Sequence, residues 1–237
     1  MAISTNPLAW LRSVQPRRAI AFLLLLLPLT VGAQTVRDLW LSMPPSLAPY
    51  LNTSLRTQCL DFYDMHTDAQ TDNALKGKSR IDTLTSTFLA ATLSKAHTLQ
   101  MKLLPASGSG LGSSLGSGSV SSSSLSSCDS VLCVVRSWDG PKRDSEVQLF
   151  DRQWKPLQAP LTFSADSFVC RPDTMSEERF SRLVAMLDPI MFSVSLSPVE
   201  NVLLVKLSPV VPNPEDEKAI EQILVQRKLK WDGKTFK

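Results

Sequence analysis

"LPASGSGLGSSLGSGSVSSSSLSSCDS" (residues 104–130) is almost entirely Ser and Gly. Its reading decides the fold, because it either separates two domains or interrupts one. Ser and Gly bury too little surface to offset the entropy of ordering, so the tract itself is expected to be disordered. Its flanks carry the decision. Before it, Leu99, Met101 and Leu103 alternate with Thr98, Gln100 and Lys102; after it, residues 131–138 form a strongly β-prone run. The chain upstream of the tract offers two helices and about one hairpin, too little sheet to stand alone. Long loops cost little closure entropy, about 0.6 kcal/mol per doubling of length. The tract is therefore read as a loop at 106–127 inside a single domain spanning 34–237.

Outward from the tract, local signals place the other elements. Val36, Leu39, Trp40 and Met43 keep helical spacing until Pro44-Pro45 stop them. A second helix is expected at about 54–65, with Leu55, Cys59, Leu60 and Tyr63 on one face and Asn52 or Thr53 as cap. Residues 81–94 are β-like, and Lys95-Ala96-His97 reads as a turn that leaves His97 exposed. After the tract come a turn at Asp139-Gly140-Pro141 and a strand at 146–151. Thr174 and Glu177 suggest a capping box for a helix carrying Phe180, Leu183, Val184 and Leu187. A hairpin is expected from 191–196 and 202–207. Asn213-Pro214 then opens a last helix with Ile220, Ile223 and Leu224 as its stripe. Adjacent hairpins without repeated β-helix-β crossovers give an α+β fold: a meandering antiparallel β-sheet with N-terminal, central and C-terminal helices packed on it.

Three Arg, at 12, 17 and 18, precede the apolar run from Ala19 to Leu27, and Val31-Gly32-Ala33 follows. That order is expected of a signal peptide over 1–33, cleaved before Gln34, with an apolar run too short to span a bilayer. Export to the periplasm or the extracellular space follows as an expectation. Of the 25 Lys and Arg, only these three lie in the first 33 residues, where no acid occurs; the remainder holds 22 basic against 22 acidic residues. A neutral chain has no electrostatic footprint for nucleic acid and no polybasic block for anionic lipid.

Export also places the four cysteines in an oxidising compartment. Cys59, Cys128, Cys133 and Cys170 allow three pairings. Cys128 and Cys170 lie in polar surroundings and are the favoured disulfide candidates; Cys59 and Cys133 sit within apolar runs. No spacing matches a zinc site.

"LWLSMPPSLAPYL", "CLDFYD", "TLQMKLLP", "VVRSWDGPKRDSEVQLFDRQWKPL", "ERFSRLVAMLDPIMFSVSLSP" and "KWDGKTF" follow one another in this order. In that order the chain resembles an uncharacterised family of small exported proteins from Bacteroidales, a domain of unknown function. The resemblance covers essentially the whole chain after residue 33. It implies that the Ser/Gly tract stands where the family has a short turn, and it implies no activity, ligand or site residue.

Candidate chemistry is sparse. Gly112-Ser113-Ser114-Leu115-Gly116 spells the nucleophile-elbow pattern, but no helix follows and both His precede it. Asp64, His66 and Asp68, with Asp61 and Asp72 nearby, are candidate metal ligands by residue type. Trp138, Trp154 and Trp231 read as packing residues. The favoured expectation is a non-catalytic exported binding or structural module of the cell envelope, acting through a sheet face or edge on an envelope protein or ligand, with no cofactor. The alternatives are a metal-assisted hydrolase using Asp64, His66 and Asp68, and a carrier of an apolar envelope ligand.

Overall fold

Thr35 accepts a hydrogen bond from Asp38 N and donates its own N–H to the Asp38 carboxylate at 2.8 Å, a capping box that starts α1 (Val36–Ser42). The structure, a computed structural model, describes residues 34–106, 130–158, 161, 163–211 and 213–237. The expected signal peptide, the Ser/Gly tract from 107 to 129, and Cys128 lie outside the described residues. Gln34–Lys237 forms one compact unit.

Helix α2 (Thr53–Asp64) starts where Asn52 accepts from Leu55 N at 3.0 Å, the expected cap. Its buried face holds Cys59, Leu60 and, unexpectedly, Arg56. The Arg56 guanidinium donates to the carbonyls of Met43 at 2.6 Å and Leu41 at 3.2 Å. These are carbonyls at the end of α1, where a cation meets the negative end of the helix dipole. Arg56 thus fixes α1 against α2.

Six strands follow in sequence order: β1 (Thr71–Asp72), β2 (Lys78–Leu84), β3 (Phe88–Ser94), β4 (His97–Pro105), β5 (Ser130–Asp139) and β6 (Arg143–Phe150). All pair antiparallel with their neighbours into one sheet. The run expected at 81–94 divides at Thr85, whose hydroxyl accepts from Thr87 N and Phe88 N. β4 and β5 pair continuously from Pro105↔Ser130 to His97↔Trp138, so the tract connects direct neighbours.

A second, three-stranded antiparallel sheet was not anticipated as a separate layer. It contains β7 (Phe192–Leu196), β8 (Val202–Leu207) and β9 (Arg227–Lys230), in that order. Around it stand a 3-10 turn (Ala165–Phe168), α3 (Glu177–Ala185) and α4 (Pro214–Glu221). The cap of α3 is Ser176, which accepts from Arg179 N, in place of the expected Thr174. Asn213 caps α4 as expected, with Pro214 in the first turn.

Alternation divides the large sheet's two faces. Leu89, Leu93, Leu99, Met101, Leu132 and Val134 pack against α1 and α2. Phe88, Leu104, Val131, Cys133, Val135 and Leu149 face the other way, into the core shared with the small sheet, α3 and α4. Between them on that second face, and at the start of β6, stand polar residues that meet the edge of β7. Gln100 Oε1 accepts from Leu196 N at 2.7 Å, Ser145 Oγ from Val194 N at 3.1 Å, and the Asp144 carboxylate from Phe192 N at 3.4 Å. The backbone donors along the outer side of β7 are therefore satisfied by side chains of the large sheet, which closes an edge without a strand.

Lys102 completes the joint. It is fully buried between Phe88 and Cys133, and its ammonium donates to Ser197 O at 2.6 Å and Glu200 O at 2.7 Å in the β7–β8 turn. Burial lowers its pKa, while the Cys133 thiol and Glu200 act in the opposite sense.

Two measurements test this architecture. Lys102→Met should lower the unfolding free energy in urea by about 2 kcal/mol, since two carbonyls lose a charged donor. A chain lacking residues 108–126 should fold with its melting temperature kept or slightly raised, because a shorter connection between β4 and β5 saves about 1 kcal/mol of closure entropy. Failure of that chain to fold would contradict the single-domain reading.

Candidate functional site

The C-terminal end of α2 does not bring the three candidate metal ligands together. The Asp64 carboxylate is held by both terminal nitrogens of Arg37, at 2.5 and 2.8 Å, and this hydrogen bonding keeps its pKa below the ordinary value. His66 takes a left-handed backbone conformation, φ 54°, and its Nδ1 lies 2.8 Å from the Asp64 carbonyl. His66 and Asp68 border a groove of about 480 Å³ with Tyr63, Arg80 and Asp82, where Arg80 and Asp82 bond to each other at 2.7 Å. Among the described residues, no three His, Cys, Asp or Glu side chains form a group that could hold a metal ion.

Cys170 is exposed, whereas Cys59 and Cys133 are buried in the two cores. Burial pushes both buried thiols up, which disfavours the nucleophilic thiolate.

His97, expected in an exposed turn, is instead the first residue of β4 and is buried. The turn consists only of Lys95 and Ala96, and pairing to β5 begins one residue earlier than composition suggested. The imidazole stacks on Trp138 at a centroid distance of 5.1 Å, and its Nδ1 is bonded to the Tyr50 hydroxyl. Among the described residues, its Nε2 has no hydrogen-bond partner. The Arg136 guanidinium lies 5.4 Å from the centre of the Trp138 ring and pairs with Glu146 at 2.5 Å. Burial, aided by the charge of Arg136, keeps His97 below its ordinary pKa; burial pushes Tyr50 up to about 12. This ordered stack locks the loop carrying Tyr50 to the end of the sheet. Of the three tryptophans read as packing residues, Trp154 is buried, Trp231 is half-buried, and only Trp138 is substantially exposed, at 39 %.

The feature that composition could not show lies at the sheet's far edge. β6 is the last strand in the sheet order. Leu149 O accepts from Leu157 N at 2.8 Å, on the side away from β5. Strand alternation then directs the backbone N–H and C=O groups of Val147, Ser145 and Arg143 to that same outer side. Among the described residues, only the last part of the edge is covered, by the bridge between Phe150 and Pro156. Beside the uncovered part runs a groove of about 620 Å³, lined by Val147, Leu149, Leu157 and Leu161 with Glu146 and Gln148.

The family described as "Protein of unknown function (DUF3256)" matches residues 28–111 and 119–236. The chain belongs to this family. The gap between the matched segments falls within the Ser/Gly tract, so the DUF3256 pattern is carried by the two strands that the tract connects. Among solved structures, the chain is similar to one described as "Structure of a domain of an uncharacterized protein from Porphyromonas gingivalis W83". That similarity has a TM-score of 0.62 at 23% identity and covers 85% of this chain and 98% of that one. At this identity the likeness concerns the fold. No match is found among curated proteins. No helix among the described residues is long and apolar enough to cross a membrane.

The His97 stack predicts a pH dependence. Its folded pKa lies below the ordinary 6.5, so at pH values between the two the unfolded chain binds the additional proton. Stability should therefore be complete above about pH 6.5 and fall as the pH drops below it. Thermal melts across pH should show this slope, and His97→Phe should flatten it while leaving the carboxylate-driven loss at lower pH.

Proposed function

We propose that this protein is a non-catalytic exported module of the bacterial cell envelope, and that it binds an extended peptide segment of another envelope protein along the outer edge of β6. The observation that carries the reading is the row of outward backbone groups at Arg143, Ser145 and Val147 beside a groove with one aliphatic side. Strand addition uses such an edge for affinity and such a groove for side-chain choice. Charge argues against a second copy as the occupant. Antiparallel self-pairing centred on Ser145 would place Asp144 opposite Glu146, and one-residue shifts would oppose two Asp144 or two Glu146. A partner strand presenting basic residues opposite these acids fits better. Export rests on the basic-then-apolar order of residues 12–33.

A photo-crosslinking residue at Gln148, inside the groove, should give a discrete adduct in the native envelope, whereas the same residue at the exposed Arg182 of α3 should not. Val147→Pro deletes one outward N–H without removing a bond to β5, so the adduct should be lost with little change in melting temperature. An adduct that survives this substitution, or that forms equally from Arg182, refutes edge pairing.

A further inference from the structure

We infer that the cleft between α4 and the end of β8 is a binding site for a small apolar carboxylate. It lies on the small sheet and is independent of the β6 edge. The cleft encloses about 290 Å³, at the small end of the range for ligand pockets. Its apolar side is formed by Pro209, Val211, Ile220 and Leu224. Ile220 is buried and belongs to the core, so this side is fixed by packing.

Polar groups converge from one strand. Lys206 and Ser208 stand two residues apart, on one side of the chain where β8 ends, and both border the cleft. Ser208 is only 9 % exposed, and its N–H donates to Met191 O at 2.9 Å. Its hydroxyl makes no hydrogen bond to the described residues. With no partner among the described residues, it is free to donate to a ligand in the cleft. Lys206 forms no ion pair with them either. The other lysine of the cleft, Lys142, is bound to Glu217 and is therefore already neutralised.

One cation and one hydroxyl donor on a rigid backbone, facing an aliphatic wall, suit a carboxylate head with a short hydrocarbon tail. The head would accept from the Lys206 ammonium and the Ser208 hydroxyl, and the tail would cover Ile220 and Leu224. Glu221, which forms no ion pair among the described residues, is the exposed last residue of α4 on the opposite wall. It disfavours an anionic tail end and so selects a monocarboxylate over a dicarboxylate.

Octanoate titrated into the purified protein, followed by amide NMR shifts, should perturb Ser208, Ile220 and Leu224 together and saturate. Octanol and octylamine test the head group, and suberate tests the tail end. All three should bind at least tenfold more weakly than octanoate. Lys206→Gln changes an exposed side chain and should weaken octanoate about tenfold, the equivalent of about 1.4 kcal/mol. Ser208→Ala should weaken it further. Localised binding of octanol or octylamine as tight as that of octanoate would overturn the carboxylate assignment. Shifts spread over the surface, no saturation, or a Lys206→Gln protein with unchanged affinity would overturn the site.

Discussion

The ammonium of Lys102 is the joint on which the two halves of this fold depend. It leaves the middle of the large sheet and ends on two carbonyls of the β7–β8 turn, Ser197 and Glu200. A buried lysine with no acceptor would be expelled to solvent or deprotonated. Here the acceptors belong to the other sheet, so the charge is tolerated only when both sheets are docked. Gln100, Ser145 and Asp144 extend the same logic along β7, supplying acceptors from side chains where a neighbouring strand would supply carbonyls. The interface between the sheets is thus polar at its line of contact and apolar on either side of it.

Much of the secondary structure was legible because local chemistry was decisive. Asn52 and Asn213 cap their helices as their positions imply, and Pro44-Pro45 follows Met43, the C-cap of α1. Alternation at 98–104 gave β4 and the residues that share each of its faces. What alternation cannot give is whether the polar face is covered. Thr98, Gln100 and Lys102 are polar in sequence, yet β7 lies over that side and Lys102 is among the most buried residues. The same gap hid the second sheet, because β9, with sequence Arg-Lys-Leu-Lys, carries no apolar run of its own and exists through pairing to β8.

The candidate sites were less legible, for reasons that differ by residue. Asp64, His66 and Asp68 are close in sequence, but the left-handed turn at His66 and the claim of Arg37 on Asp64 separate their chemistry. His97 looked like a turn residue because the signal for its burial, Tyr50, lies far away in the chain. The β6 edge and the cleft beside α4 are products of topology: one exists because, among the described residues, no strand follows β6 in the sheet, the other because α4 and the end of β8 border the same hollow. No short motif encodes either.

The bond from the Trp231 indole N–H to Pro105 O, 2.7 Å long, has a consequence beyond packing. It anchors the end of β4, while Arg152 donates to Ser130 Oγ at 2.8 Å and anchors the start of β5. Both lips of the opening between these strands are therefore clamped by residues from outside the hairpin. Whatever joins the two lips can vary in length and composition without transmitting strain to the sheet. The molecule carries a built-in mounting point, where foreign peptide can be displayed on a scaffold that does not register its presence.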